Sequence, residues 1–165
     1  MKTKEQEFLD QIEKNKGIIH KISRMYMDNP SDQDDLVQEI ILQLWKSYDN
    51  FRQQSSFSTW MYRVALNTAI VFFKKDQKKP TTTADVPDLP AEESSDTREL
   101  QLSHFYRAVQ KLERLEKALI FYHLEKYSHK EIAENLGITE VNARTKLNRA
   151  KTKLKELIRE QGYEF

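Results

Sequence analysis

The residues of this chain best suited to a chemical task are basic side chains near its C-terminal end. Six Lys or Arg residues and no acidic residue lie between Asn142 and Lys155, although the whole chain of 165 residues has a net charge of only +1. The six are Arg144, Lys146, Arg149, Lys151, Lys153 and Lys155. Lys and Arg neutralise the phosphates of nucleic acids, and Arg also hydrogen-bonds guanine in the major groove. The run therefore indicates nucleic-acid binding, with a solvated, Lys-rich helix as the alternative.

Two helices joined by a glycine turn are predicted to position this run. Ser128 and Glu131 match a capping box at the start of a first helix. Gly137 ends that helix, because glycine adopts a positive φ at little cost. Thr139 then caps a second helix. A solvated helix would explain the basic face, but it would not explain these caps and the turn.

The apolar residues of the two helices recur at helical spacing and predict which faces are buried. Inward positions are expected to be Ile132, Ala133, Leu136, Val141, Leu147 and Leu154. The outward side of the second helix then carries Arg144, Thr145, Asn148 and Arg149. In a helix-turn-helix, such positions contact base edges in the major groove.

A second candidate site lies on a predicted helix from about 57 to 75. Its aromatic residues, with Phe57, Trp60 and Tyr62 among them, spread around too much of the helix to form one core stripe, and a Lys-rich segment follows. Aromatic rings stack on unpaired bases, at about 1–3 kcal/mol per base, while cations follow the phosphates. This pattern is typical of single-strand binding, although aromatic residues in a small helical domain also form cores.

Composition restricts the fold and the compartment. With 38% hydrophobic and 32% charged residues, three glycines and no alternating strand pattern, the chain is predicted to be all-α and globular. The absence of cysteine excludes disulfides and thiolate metal sites and fits a reducing cytoplasm. No secretion signal is apparent, and the apolar stretches are too short to insert in a membrane. We therefore expect a cytoplasmic protein.

A change of composition divides the chain into two small helical domains, 5–78 and 100–158. The segment 79–99 holds three of the four prolines and six acidic residues, which predicts a flexible, acidic linker. In the first domain we expect a helical hairpin interrupted near 15–17, and then a helix capped by Ser31. In the second domain we expect two further helices before the helix-turn-helix.

These motifs together resemble bacterial RNA polymerase sigma factors of the extracytoplasmic-function (ECF) group. Asp34–Glu39 with Trp45 resembles the family's region 2.2, Phe51 and Ser55–Asn67 resemble regions 2.3 and 2.4, and the helix-turn-helix resembles region 4.2. The resemblance implies a factor that binds core RNA polymerase, directs it to specific promoters and helps to open the DNA. It also implies an anti-sigma factor as a partner, but no cofactor, metal or catalytic residue.

Site residues follow from the resemblance, position by position. The surface that docks core polymerase is expected to contain Asp35, Leu36, Gln38, Glu39, Leu42 and Trp45. The residues that melt and hold the single-stranded −10 element are expected to be Phe57, Ser58, Thr59, Trp60, Arg63 and Asn67. The duplex −35 element is expected to contact Asn142, Arg144, Thr145, Lys146, Asn148, Arg149, Lys151 and Lys153, of which Lys146, Lys151 and Lys153 reach phosphate.

The chain departs from the family pattern at two places in the second helix. Val141-Asn142-Ala143 stands where family members often have Gly-Thr-Val, and Asn148 stands where an aromatic residue or His is common. These differences affect the −35 sequence that is read.

Two other classes of protein fit the sequence less well. An ordinary helix-turn-helix regulator would bind duplex DNA without polymerase, but it leaves the Asp34–Trp45 helix and the aromatic helix unexplained. An enzyme is disfavoured because His20, His104, His123 and His129 are scattered, and no phosphate loop, metal motif or cysteine nucleophile is present.

Overall fold

A computed structural model describes residues 1–51, 55–76 and 97–162. Within these ranges every regular element is helical, with seven α-helices and one 3₁₀ helix, so the predicted all-α class is confirmed. The chain forms two compact units, Met1–Phe73 and Lys74–Phe165. Most of the predicted linker, residues 79–96, lies outside the described residues. No helix in the described part of the chain is long and apolar enough to cross a membrane.

The N-terminal unit contains three α-helices: α1 (Lys4–Tyr26), α2 (Pro30–Ser47) and α3 (Phe57–Asp76). A 3₁₀ turn at Tyr48–Asn50 follows α2. Helix α1 packs on α2, and α3 supplies further residues to their core. The largest fully buried side chains of the unit are Ile19, Ile22, Met25, Tyr26, Leu36, Ile40, Leu44, Met61 and Leu66.

Two predictions for this unit were wrong. The expected interruption near 15–17 is absent, because α1 runs without a break through Gly17. A glycine inside a helix costs only about 1 kcal/mol relative to Ala, which the burial of apolar residues on both sides offsets. Ser31 is not the cap of α2 either. Asn29 caps it, with its side-chain oxygen accepting from the Asp32 N–H at 2.8 Å, and Pro30 occupies the first turn.

The C-terminal unit contains α4 (Thr97–Gln110), α5 (Arg114–Leu124), α6 (His129–Leu136) and α7 (Glu140–Glu160). Helix α7 packs against each of the other three helices. The two helices expected before the helix-turn-helix are present as α4 and α5. Helix α4 begins at Thr97, so the last three residues of the predicted linker are helical instead.

The helix-turn-helix forms as its local signals predict. The Ser128 hydroxyl accepts from the Glu131 N–H and the Glu131 carboxylate accepts from the Ser128 N–H, both at 3.1 Å. These bonds lower the pKa of Glu131 because they stabilise its charged form. Gly137 has a φ of 69°, and the Thr139 hydroxyl accepts from the Asn142 N–H at 3.1 Å.

The buried face of α7 differs from the prediction at one position. Leu147 and Leu154 are buried, as expected, together with Ala143, Ala150 and Ile158. Val141 was expected to pack inward, but it is 69% exposed. It lies in the first turn, about half a helical turn away from the buried stripe, so no core residue can reach it.

Candidate nucleic-acid interface

The outward face of α7 carries the residues predicted to read the −35 element. Asn142, Arg144, Thr145, Lys146, Asn148 and Arg149 are all exposed, whereas Lys151 and Lys153 are half-buried. Because the buried stripe lies on the opposite side of the same helix, packing holds this face outward and in a fixed rotation. A single rigid helix therefore presents hydrogen-bonding and cationic side chains to solvent.

Two ion pairs restrain cations on this face. The Arg144 guanidinium lies 3.7 Å from the Glu140 carboxylate, one helical turn earlier. The Lys153 ammonium lies 3.1 Å from the Glu116 carboxylate on α5. Both pairs are partly exposed, so they cost little to break when a phosphate competes for the cation. Lys153 is thus bound to its own unit, and a phosphate contact by this residue would require exchange of partners.

A histidine lies near this basic face. Partial burial lowers the pKa of His123, and the positive charges of Lys151 and His129 lower it further. The shift favours a neutral imidazole at pH 7. The described residues contain no group of three or more His, Asp or Glu side chains that could hold a metal ion.

The N-terminal unit contains a cluster of six aromatic rings, here called the aromatic cluster: Phe8, Trp45, Tyr48, Phe51, Phe57 and Trp60. Phe51, Phe57 and Trp60 contact one another, with ring centroids 5.1–5.7 Å apart. Tyr48 joins them to Phe8 and Trp45, since its ring lies 6.3 Å from Trp60 and 5.1 Å from Phe8. Such spacings are those of favourable aromatic pairs. The cluster thus connects all three α-helices and the 3₁₀ turn.

The residues predicted to hold the −10 element lie on the first three turns of α3. Phe57, Ser58, Thr59 and Trp60 are half-buried, whereas Arg63 and Asn67 are exposed. Phe57 and Trp60 are only half-buried while their rings pack on Phe51. Rings that are held in place and partly exposed are suited to stacking on an unpaired base.

The residues predicted to dock polymerase do not all share one surface. Asp35, Gln38, Leu42 and Trp45 are exposed along one side of α2, and Glu39 is half-buried and accepts a 2.9 Å hydrogen bond from Gln43. Leu42 and Trp45 are 44% and 38% exposed, which is unusual for such large apolar side chains. Leu36 is fully buried in the core. Its inclusion in the docking surface was therefore wrong, because Leu36 lies on the same buried face of α2 as Ile40 and Leu44.

Sequence reasoning missed several residues that support these sites. Lys4 lies over the Trp45 ring at 5.3 Å and also forms an ion pair with Asp49. These partners are about 40 residues apart in sequence, so no local pattern indicates the contact. Ser56 could have been predicted as a helix cap, because a serine directly before the start of a helix is a typical cap. Its hydroxyl accepts from the Thr59 N–H at 3.2 Å.

Comparison with known proteins places these features in a family. Residues 11–79 match the family Sigma-70 region 2, and residues 103–154 match the family Sigma-70, region 4. The ECF RNA polymerase sigma-E factor of Escherichia coli K12 is 31% identical over 147 residues, covering 78% of this chain and 76% of that protein. The ECF RNA polymerase sigma factor SigG of Mycobacterium tuberculosis H37Rv is 28% identical over 151 residues. That alignment covers 74% of this chain but only 41% of the length of SigG.

Solved structures show the same fold. The sigma factor RpoE, crystallised with the anti-sigma factor NepR from Bartonella quintana, has a TM-score of 0.70 at 18% identity, covering 93% of this chain and 97% of that one. CnrH, in complex with the cytosolic domain of CnrY, has a TM-score of 0.63 at 20% identity, covering 92% and 86%. Both family matches fall on the two compact units in the order that the sequence motifs predict. The chain belongs to the ECF family of RNA polymerase sigma factors.

Proposed function

We propose that this chain binds core RNA polymerase, directs it to specific promoters and helps to open the DNA for initiation. The observation that carries the proposal is that one chain combines a helix-turn-helix with an outward basic face and a separate unit with partly exposed aromatic rings. Duplex reading needs the first feature, and capture of unpaired bases needs the second. The chain itself is not an enzyme in this proposal, since the polymerase forms the phosphodiester bonds, and it acts in the cytoplasm.

In the C-terminal domain, residues 100–158, α7 enters the major groove at the −35 element. Arg144, Thr145, Asn148 and Arg149 contact base edges, with Asn142 at the start of the helix. Lys146, Lys151 and Lys153 contact phosphates, and they supply affinity without sequence preference. Because the buried stripe holds this face outward, these contacts require no change in the backbone of the unit, and only the ion pairs of Arg144 and Lys153 have to be exchanged for DNA.

In the N-terminal domain, residues 5–78, the first turns of α3 hold the single-stranded −10 element. Phe57 and Trp60 provide surfaces on which an unstacked base can lie, and Ser58, Thr59, Arg63 and Asn67 provide hydrogen bonds and charge. Unstacking a base costs a few kcal/mol, which stacking on protein rings offsets. Residues 79–96 serve as the linker between the two domains.

Core polymerase docks on the exposed side of α2 that carries Asp35, Gln38, Leu42 and Trp45, with Glu39 at its edge. Leu42 is the better residue for a test, because Trp45 also packs in the aromatic cluster and its loss would disturb the fold. We expect Leu42→Ala to weaken polymerase binding, whereas Leu102→Ala, an equally exposed leucine on α4, leaves it unchanged. Titration of labelled core polymerase measures both. Equal affinity of the two variants would remove α2 from the docking site.

An anti-sigma factor is proposed as a further partner. The structures of two structurally similar proteins were solved in complexes, RpoE with the anti-sigma factor NepR and CnrH with the cytosolic domain of CnrY. A protein that covers the docking side of α2 would compete with polymerase. Competition between core polymerase and proteins captured from the source cell by the purified chain tests this idea.

Transcription from a genomic library tests the whole proposal. The purified chain is added to bacterial core polymerase on genomic fragments, and the transcript starts are sequenced. Discrete starts that share two spaced upstream elements, and that are absent with core polymerase alone, are expected. Specific duplex binding by the chain alone, without stimulated transcription, would instead indicate an ordinary helix-turn-helix regulator.

A further inference from the structure

Val141 is an exposed apolar side chain on the DNA-facing side of α7. It is 69% exposed, more than any other large hydrophobic residue in the described part of the chain except Met1. At 3.6 residues per turn, Val141, Thr145 and Asn148 follow one line along the helix, and Arg144 lies beside that line. The buried residues Ala143, Leu147 and Ala150 occupy the opposite side.

The fold gives no reason for a valine at this position. Val141 buries little surface, so it contributes little to the core. Valine is also a weaker helix former than Ala, Glu or Lys, because its branched side chain loses rotamer freedom. A polar residue would serve better if this turn faced only water. Because Val141 lies on the same outward side as Thr145 and Asn148, its apolar surface is available to a ligand that offers an apolar group.

The major groove offers one such group. Adenine, guanine and cytosine present only hydrogen-bond donors and acceptors there, whereas thymine also presents its C5-methyl group. Residues at the N-terminal end of a recognition helix are those that contact base edges. Resting on the proposed function of α7, we infer that Val141 contacts the methyl group of a thymine in the −35 element and so specifies that base pair.

The neighbours of Val141 fit this assignment. The preceding residue, Glu140, pairs with Arg144 at 3.7 Å, so the first turn carries no uncompensated cation that would favour a phosphate. The following residue, Asn142, is exposed and has a side chain able to bind adenine. The first turn of α7 is thus suited to A·T pairs, and the Arg residues further along are suited to guanine.

Removal of single methyl groups from the DNA and from the protein tests the inference. The preferred upstream element is first selected from duplex promoters with a randomised −35 segment, using the full chain in complex with core polymerase. Each thymine of that element is then replaced by deoxyuridine, which lacks only the C5-methyl group. Affinity is measured for the wild type, Val141→Ala and Leu102→Ala; the last is a matched control because Leu102 is a 46% exposed apolar residue on α4.

We expect one deoxyuridine substitution to weaken wild-type binding about fourfold, the worth of one buried CH₂-sized group. Val141→Ala should weaken binding to the thymine duplex by a similar factor. Replacing that thymine by deoxyuridine should then lower the affinity of Val141→Ala only slightly further. Leu102→Ala should respond to each deoxyuridine as the wild type does. Because Ala is the better helix former, Val141→Ala should retain the helical circular dichroism of the wild type.

Other results would overturn the inference. If every deoxyuridine substitution weakened binding of Val141→Ala by the same factor as binding of the wild type, the Val141 side chain would not contact a thymine methyl group. A loss of transcription without a loss of DNA binding would instead assign Val141 to a protein contact. If the wild-type complex selected no upstream element at all, the proposed reading of the −35 element would fail first, and that result is visible before any variant is made.

Discussion

Helix α7 and the aromatic cluster, the two proposed DNA-binding sites, divide folding and surface roles among their side chains in different ways. On α7, the side chains that hold the fold and those that face the solvent are separate, because the buried stripe and the basic face lie on opposite sides of one helix. In the aromatic cluster, the same side chains do both, since Phe57 and Trp60 pack on Phe51 and are only half-buried.

The difference matches what each site is proposed to bind. A duplex presents phosphates and polar base edges, which polar and cationic surface residues can match without any change to the core. An unpaired base presents a flat apolar face, and the side chains that match it are the aromatic residues that also pack well inside proteins. Substitutions on α7 should therefore change binding alone, whereas substitutions in the aromatic cluster should change binding and stability together.

The largest effect is expected for Trp60→Ala. Trp60 contacts three rings of the cluster, so its truncation should lower the free energy of unfolding of the N-terminal unit by about 2–3 kcal/mol, less than the loss for a fully buried Trp. It should also reduce promoter opening. Both tryptophans of the chain lie in the N-terminal unit, so fluorescence of the remaining Trp45 during denaturant unfolding reports on that unit alone.

Asn67→Ala is the control for stability alone, because Asn67 is exposed on the same helix but is itself proposed to contact the −10 element. It should change stability by less than about 0.5 kcal/mol. A loss of promoter opening in Trp60→Ala without a change in the denaturant midpoint of unfolding would contradict the claim that the aromatic cluster, unlike α7, uses the same residues for stability and for DNA binding.

The next effect concerns two cations of α7. Arg149→Ala should lower promoter affinity by about 1–3 kcal/mol and relax the preference at one base pair, as expected for a base contact. Lys146→Ala should weaken binding to all promoters by the same factor. It should also reduce the salt dependence of promoter affinity by the amount expected for about one phosphate contact. Selection from a randomised −35 library, repeated at several salt concentrations, separates the two patterns. The contrast between base-reading and phosphate-binding cations would not hold if both variants weakened every promoter equally.

Neither α7 variant should alter folding, because both side chains are exposed. Hydrogen exchange of the C-terminal unit should therefore match the wild type. Slower or faster exchange in α5 or α6 would show that the basic face also stabilises the unit, which would weaken the contrast with the aromatic cluster.

The sequence predicted the helix-turn-helix accurately but did not predict the aromatic cluster. The helix-turn-helix was predictable because its caps, its turn and its buried spacing are all local, and Ser128, Glu131, Gly137 and Thr139 adopt the expected geometry. The aromatic cluster was not predictable, because Phe8 and Trp45 are far apart in the sequence, and Tyr48 and Trp60 lie on different elements. Burial of Lys117 on α5 was missed for a related reason, since tertiary packing alone decides it.

Two residues show where a local pattern predicts wrongly. Leu36 belongs by sequence motif to the docking helix, but its spacing with Ile40 and Leu44 puts it in the core. Val141 looks like a core residue by type, but its rotation on α7 exposes it. In both cases the rotation of the helix, and not the residue type, decides burial.

Two glycines allow a smaller and more controlled test. Gly137→Ala places a side chain at a φ of 69°, in the left-handed region, which should cost about 1–2 kcal/mol. The loss should appear in the C-terminal unit as faster hydrogen exchange in α6 and α7, while the tryptophan fluorescence transition of the N-terminal unit stays unchanged. A shift in that transition as well would mean that the two units do not unfold independently.

Gly17→Ala is expected to have the smallest effect, and of the opposite sign. Gly17 lies inside the continuous α1, is exposed, and has no atom within 4 Å of an added Cβ. Alanine should therefore raise the free energy of unfolding of the N-terminal unit by about 0.5–1 kcal/mol, because it restricts the unfolded chain and favours the helix. A higher denaturant midpoint in tryptophan fluorescence would support one unbroken helix. A lower midpoint would mean that α1 is interrupted near Gly17 after all, as the sequence pattern predicted.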